Sequence, residues 1–182
     1  MIAKVQSYAL NGLEGVAVTV ETDVSRGLPA YDIVGLPDAA VKESKERVRS
    51  AIKNSALAFP MHKITVNLAP AYVRKEGTAL DLPVAISLLK ANGSLEAETD
   101  GFVFLGELAL NGDLRPVTGV LPSIISARDK GSPTKFIPFH SFGNRDLYFG
   151  SAYLSSIRTA TPLSVSVRIT LPTAWSTAFI PG

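Results

Sequence analysis

The residues best placed to do chemistry form one short run, Arg74-Lys75-Glu76-Gly77-Thr78, between an alternating stretch and an apolar one. A strand-to-helix junction leaves backbone N–H groups without partners and turns the positive end of the helix dipole outward, which favours an anion. Arg74 and Lys75 could therefore hold a phosphate or a nucleic-acid backbone; a solvated loop in which Gly77 supplies the turn accounts for the same residues. Asp81, Glu107 and Asp113 lie near turns, where isolated carboxylates cap or solvate more often than they do acid–base work. The chain has two histidines, His62 and His140, and no cysteine. That excludes disulfides, a thiolate nucleophile, cysteine-ligated zinc and a histidine-rich metal site. His62 follows Pro60-Met61 in a loop before a strand and reads as a surface or structural residue. A P-loop needs a Gly-Lys-Ser/Thr step to surround phosphates, and no glycine here is followed by lysine.

The elements that must carry this run can be read from periodicity. Residues 16–23 are β-branched with partial alternation, and Asn11-Gly12 before them predicts a tight turn, so Ala3–Ala9 is the expected hairpin partner. Tyr31–Val34 is a short third strand closed by Gly35. Asp38 can cap a helix reaching to about Ala56, with Val41, Val48, Ala51 and Ile52 on one face. Its other face carries Lys42, Glu43, Glu46, Arg47, Arg49 and Lys53, with Lys42/Glu46 and Glu43/Arg47 at i,i+4, and reads as a solvated charged surface. Lys63–Leu68 alternates as a strand, and an apolar helix over about Leu80–Ala91 ends at Asn92-Gly93. Phe102–Leu105, Glu107–Leu110 before an Asn111-Gly112 turn, a helix over about Gly119–Asp129 and a strand at Lys135–Ile137 complete the pattern. Hairpin first, then helices alternating with strands, predicts a two-layer α/β domain with a mixed sheet.

Composition sets the wider bounds. At 182 residues there is room for one ordinary domain and an appendage. No apolar run approaches the ~20 residues of a membrane helix, and Met1–Ser7 lacks the basic-then-apolar layout of a signal peptide. With no cysteine, this points to a cytoplasmic protein without a membrane partner. The net charge of +2 is uneven. Residues 1–130 hold 14 Lys/Arg against 15 Asp/Glu, whereas 131–182 hold Lys135, Arg145, Arg158 and Arg168 against Asp146 alone. Beyond Gly131 the chain turns rich in Ser, Thr and Pro, and after Ile137 only Ser164–Thr170 reads as a strand.

Several segments together carry a resemblance. They are Gly35-Leu36-Pro37-Asp38-Ala39-Ala40-Val41-Lys42-Glu43-Ser44, Ile64-Thr65-Val66-Asn67-Leu68-Ala69-Pro70-Ala71, Lys75-Glu76-Gly77, Asp81-Leu82-Pro83-Val84-Ala85, Gly106-Glu107-Leu108 and Leu114-Arg115-Pro116-Val117. In this order they resemble the N-terminal domain of the ComM/YifB family, the magnesium-chelatase-like AAA+ ATPases, over residues 1 to about 130. The resemblance implies a fold similar to the Lon proteolytic domain within the ribosomal-protein-like superfamily. Lon-type proteases pair a serine at a helix start with a lysine on a later helix, a weak nucleophile activated by an adjacent base. The corresponding positions here hold Ala79 and Leu121, which can do neither job, and a slip of register leaves Thr78 with Lys75 as the alternative pair.

Members of that family are much longer, and their ATPase core is where ATP and Mg are expected; none is implied for this stretch. The resemblance implies a non-catalytic accessory domain of a branch-migrating helicase used in transformation. Its partners would be its own ATPase core, further copies of itself, and DNA. A protein-interaction scaffold and a Lon-like peptidase with a displaced dyad are the rival readings. Domain boundaries are expected at 1–138 for the Lon-like part and 139–182 for a Pro/Ser/Thr-rich tail, disordered or the product of a frame shift.

Overall fold

A computed structural model describes residues 1–130, 135–138 and 152–153. His140, the expected strand Ser164–Thr170 and most of the 139–182 stretch lie outside the described residues. The chain runs β1 (Ile2–Asn11), β2 (Glu14–Ser25), β3 (Ala30–Val34), α1 (Ala39–Asn54), β4 (Lys63–Ala69), α2 (Asp81–Ala91), β5 (Phe102–Leu105), β6 (Glu107–Leu108), β7 (Leu114–Arg115), α3 (Val120–Asp129), β8 (Lys135–Pro138) and β9 (Ala152–Tyr153). Among the described residues the elements expected from the sequence are present, with β1 and β2 longer at both ends than their β-branched cores.

The main sheet is mixed, in the order β3-β4-β2-β1-β5-β8-β9, and β6 and β7 form a separate small hairpin. β1 pairs antiparallel with β2, and β2 antiparallel with β4, while β3 lies parallel to β4 and β5 parallel to both β1 and β8. Two-residue alternation sends the β1 and β5 side chains to opposite faces. Val5 and Phe104 face α2 and pack with Leu82 and Ile86. Tyr8, Val103 and Leu105 face the other way, where Ala127, Val120 and Ile124 of α3 cover them. The mixed α/β class therefore stands as read, and α3 adds a layer on the far side of the sheet.

α2 is the centre of the core. Every residue from Asp81 to Leu89 is buried, because the helix lies between the sheet and α1. An element wrapped on all sides is apolar all round, which is why its sequence shows little amphipathic period. α1 behaves differently: Val41, Ser44, Val48, Ala51 and Ile52 are buried, and Asp38 caps its start as expected. α3 is seated through small residues, Ser123 and Ala127. A side chain at Gly15 of β2 would come within 2.7 Å of the Ser123 Cα, so the close seat of α3 needs glycine there.

Gly35 sets the position of everything after β3. It has φ +98°, and a Cβ at this position would lie 2.3 Å from the Leu68 carbonyl oxygen. The clash is with backbone of a central strand, which cannot yield cheaply, and the left-handed conformation adds strain of its own. Gly35→Ala is expected to lower unfolding free energy by more than about 2 kcal/mol, read as a shifted urea midpoint at unchanged slope. A loss near zero would show that the β3–α1 turn can relocate without disturbing β4.

Candidate functional site

The run that the sequence singled out meets the Gly35–Asp38 turn at one corner of the fold. Pro37 and Lys75 form an isolated parallel bridge, with the Lys75 amide donating to the Leu36 carbonyl at 3.2 Å and the Asp38 amide donating to the Lys75 carbonyl at 2.9 Å. The Asp38 carboxylate then works in both directions. One oxygen accepts from the Val41 amide at 2.8 Å, capping α1, and the other accepts from the Gly77 amide at 3.2 Å. A single capping residue thus ties a helix start to a loop 39 residues further on.

The lysine expected to meet an anion does something else. Lys75 is fully buried, and its ammonium donates to the Gly35 carbonyl at 2.9 Å and to the Pro70 carbonyl. This corrects the sequence expectation: a side chain turned inward and engaged with two carbonyls is not available to a phosphate. The alternative pairing of Lys75 with Thr78 is corrected by the same geometry. Thr78 Oγ1 donates instead to Glu107 Oε2 at 2.5 Å, and Arg115 donates to the other Glu107 oxygen at 3.4 Å. Arg74 remains outside, 68 % exposed, with Nε 3.0 Å from Glu76 Oε1.

The two positions that the Lon pattern assigns to nucleophile and base fall in different surroundings. Ala79 packs in the cluster with Val117, Val120 and Ile124, under the inner side of α3. Leu121 projects outward, 66 % exposed, into a groove shared with Leu13, Pro122 and Ile125. Neither side chain can carry a proton.

Among the carboxylates singled out, Asp113 lies in the Asn111–Asp113 turn and accepts from the Asn111 side chain at 2.6 Å, as a turn residue should. His62 is exposed, as read. Asp81 overturns its reading. It neither caps nor is solvated: it is 1 % exposed and held bidentate by Arg47, Nε to Oδ2 at 2.7 Å and an Nη to Oδ1 at 3.0 Å. The Leu108 amide donates to Oδ2 as well, at 3.2 Å, and the Arg47 guanidinium also reaches the Ala40 carbonyl at 2.9 Å. Burial pushes the Asp81 carboxyl above the usual range, against the downward pull of Arg47. Arg47, read as half of an i,i+4 pair with Glu43, is instead partly buried, with its guanidinium turned toward Asp81. The signal available in sequence was a lone acid opening an otherwise apolar helix, because a buried carboxylate requires a cation.

Among the described residues no group of His, Asp and Glu is arranged to hold a metal ion, and no helix is long and apolar enough to cross a membrane. The geometry defines a mixed α/β domain with an interlocked loop corner between the β3–α1 turn and the Lys75 loop. The chain belongs to the family described as subunit ChlI of Mg-chelatase, whose model matches residues 20–141. It is 47 % identical over 128 residues to the competence protein ComM of Haemophilus influenzae, covering 70 % of this chain and 25 % of that protein. It is 48 % identical over 128 residues to the YifB protein of Escherichia coli, again covering 70 % and 25 %. Similarity to the Lon protease of Mycolicibacterium smegmatis is weaker, 24 % over 136 residues, or 71 % of this chain and 17 % of that one. The chain spans about a quarter of the length of its ComM and YifB relatives.

Two measurements check the corner and its neighbour. Arg47→Met leaves Asp81 charged and unpaired in the core, so a loss of about 3–5 kcal/mol is expected. Adding Asp81→Leu should restore a large part of it; additive losses would mean the two side chains do not interact. Burial holds the Lys75 ammonium below the ordinary lysine value of 10.5. The unfolded chain therefore binds its proton more tightly, and stability rises with pH between the depressed folded value and 10.5. The unfolding free energy of the native chain relative to Lys75→Met should grow as pH rises toward 10.5; a constant difference would show that Lys75 is solvated.

Proposed function

We propose that this domain is a non-catalytic accessory domain of a magnesium-chelatase-like ATPase that handles DNA during recombination, contributing a DNA contact through Arg74. The observation that carries the reading is the corner itself. It spends one basic residue, Lys75, on fixing the loop, and leaves the adjacent one, Arg74, on a pinned backbone facing solvent. The exposed Arg74–Glu76 pair is worth little in water, so a phosphate can replace the carboxylate at small cost. The inert residues Ala79 and Leu121 support a silent role. The name of the Haemophilus relative, a competence protein, supports work on incoming DNA.

On this reading ATP, Mg and branch migration belong to the ATPase core of the longer relatives, since no glycine in this sequence is followed by lysine. That core is the expected partner, along with further copies of the chain, in the cytoplasm. A second reading, a protein-packing scaffold, is favoured by the outer face of α3, where Leu121 and Ile125 lie open beside Leu13.

Fluorescence anisotropy of the 182-residue chain with single-stranded and branched DNA across a salt series separates the two. DNA binding should weaken linearly in log–log form as counterions are recaptured, and Arg74→Ala should reduce the slope by about 0.7–0.9, the share of one phosphate. No binding at low salt would transfer the assignment to the scaffold.

A further inference from the structure

The sequence contains three Asn-Gly steps, Asn11-Gly12, Asn92-Gly93 and Asn111-Gly112. Such a step is a turn signal, and it is also a chemical liability. With no side chain on the glycine to obstruct it, the glycine nitrogen can reach the side-chain carbonyl carbon of the asparagine before it. Whether the two groups react depends on what already holds them, and in this fold the three steps differ.

Two of the steps are engaged. At the end of α2 the Gly93 amide donates to the Lys90 carbonyl at 3.0 Å. The Asn92 side chain there donates to Ser94 Oγ at 3.1 Å and to the Ala58 carbonyl at 3.4 Å. Between β6 and β7 the Gly112 amide donates to the Ala109 carbonyl at 3.0 Å. The Asn111 side chain donates to Asp113 Oδ2 at 2.6 Å and accepts from the Asp113 amide at 3.2 Å. Asn11-Gly12 stands apart. It opens the two-residue loop between β1 and β2, with Asn11 paired opposite Glu14. Both residues are exposed, and a side chain at Gly12 would meet nothing within 4 Å. Neither the Asn11 side-chain amide nor the Gly12 N–H has a hydrogen-bond partner among the described residues.

We propose that Asn11 is a site of spontaneous deamidation, modified in the folded protein ahead of Asn92 and Asn111, and that the product weakens the hairpin on which α3 rests. The Gly12 nitrogen gives its proton to solvent base and attacks Asn11 Cγ. The new N–Cγ bond displaces the side-chain nitrogen, which leaves as ammonia, and one water then opens the succinimide. Cleavage of the N–Cγ bond gives aspartate. Cleavage between the nitrogen and the Asn11 main-chain carbonyl carbon gives isoaspartate, in which the backbone runs through the former side chain. Either product places a negative charge at the position paired with Glu14, and like charges directly opposite one another oppose pairing. The isoaspartyl form also lengthens the backbone by one carbon beside the Leu10–Gly15 pair. Gly15 seats α3: its Cα packs against Ser123, and its amide donates to Ser126 Oγ at 2.9 Å.

The 182-residue chain is incubated in mildly alkaline buffer, and the one-unit mass gain is followed in the peptides that carry each Asn-Gly step. In the folded chain the Asn11 peptide should convert faster than the other two, by roughly 2- to 10-fold for each hydrogen bond that must open first. In concentrated urea, where those bonds are gone, the three rates should converge. Equal rates in the folded chain, or a faster gain at Asn92 or Asn111, overturn the proposed site. The effect on the hairpin is read from Asn11→Asp, which should lower the melting temperature by about 1–4 °C. Adding Glu14→Gln should restore it. A melting temperature indifferent to Asn11→Asp, or a loss that Glu14→Gln does not relieve, overturns the proposed consequence for the hairpin.

Discussion

Lys75 is the residue on which the candidate site depends. A buried ammonium is ordinarily matched by a carboxylate, but here two backbone carbonyls, from Gly35 and Pro70, receive it. Carbonyl dipoles stabilise the charge less completely than an anion would, which is why burial still depresses its proton affinity. In exchange, one side chain fixes two loops that arrive from distant parts of the chain. Its own backbone adds the bridge to Leu36 and Asp38, so the loop is held from both sides. Lys75 turns inward while its neighbours Arg74 and Glu76 stay exposed on the same loop.

Beneath the corner lies a second polar device, the Arg47–Asp81 pair. It connects the middle of α1 to the first turn of α2, and through the Leu108 amide to the β6–β7 hairpin. The same hairpin supplies Glu107 to Thr78, just before α2. These contacts join three segments at the one place where α2 could otherwise shift along the sheet. Apolar packing of the helix is non-directional, so it does not define an axial position; bidentate pairing of a guanidinium with a carboxylate does. A fully engaged network of this kind is costly to break at any single member.

The weaker similarity to Lon raises the question of a catalytic pair, and the surroundings of the residues near the start of α2 bear on it. Just before α2 there is a methyl group, Ala79, packed beneath α3 and a threonine, Thr78, whose hydroxyl is committed to Glu107. The lysine nearest in sequence is spent on carbonyls. What the corner leaves exposed to solvent is Tyr72, Leu36 and the Arg74–Glu76 ion pair.

Local order in this protein is written in local sequence. Asp38 before an amphipathic stretch, β-branched alternation in β2 and β4, and Asn-Gly steps at turns each act over a few residues, so strands, helices and the α1 cap could be read directly. So could the buried stripe of Val41, Val48, Ala51 and Ile52, which repeats with the helical turn. The fates of Lys75, Arg47 and Asp81 could not. Each is a charged residue whose partner is 27 to 40 residues away, or is a backbone carbonyl with no sequence signature at all. By local pattern all three belong on the surface. Only when β3, β4 and α2 are packed side by side does the chain place Gly35 beside Pro70 and Arg47 beside Asp81. Sequence determined which segments could bury themselves; tertiary contact decided which charges went with them, because desolvating a charge is tolerable only where the assembled fold supplies its partner.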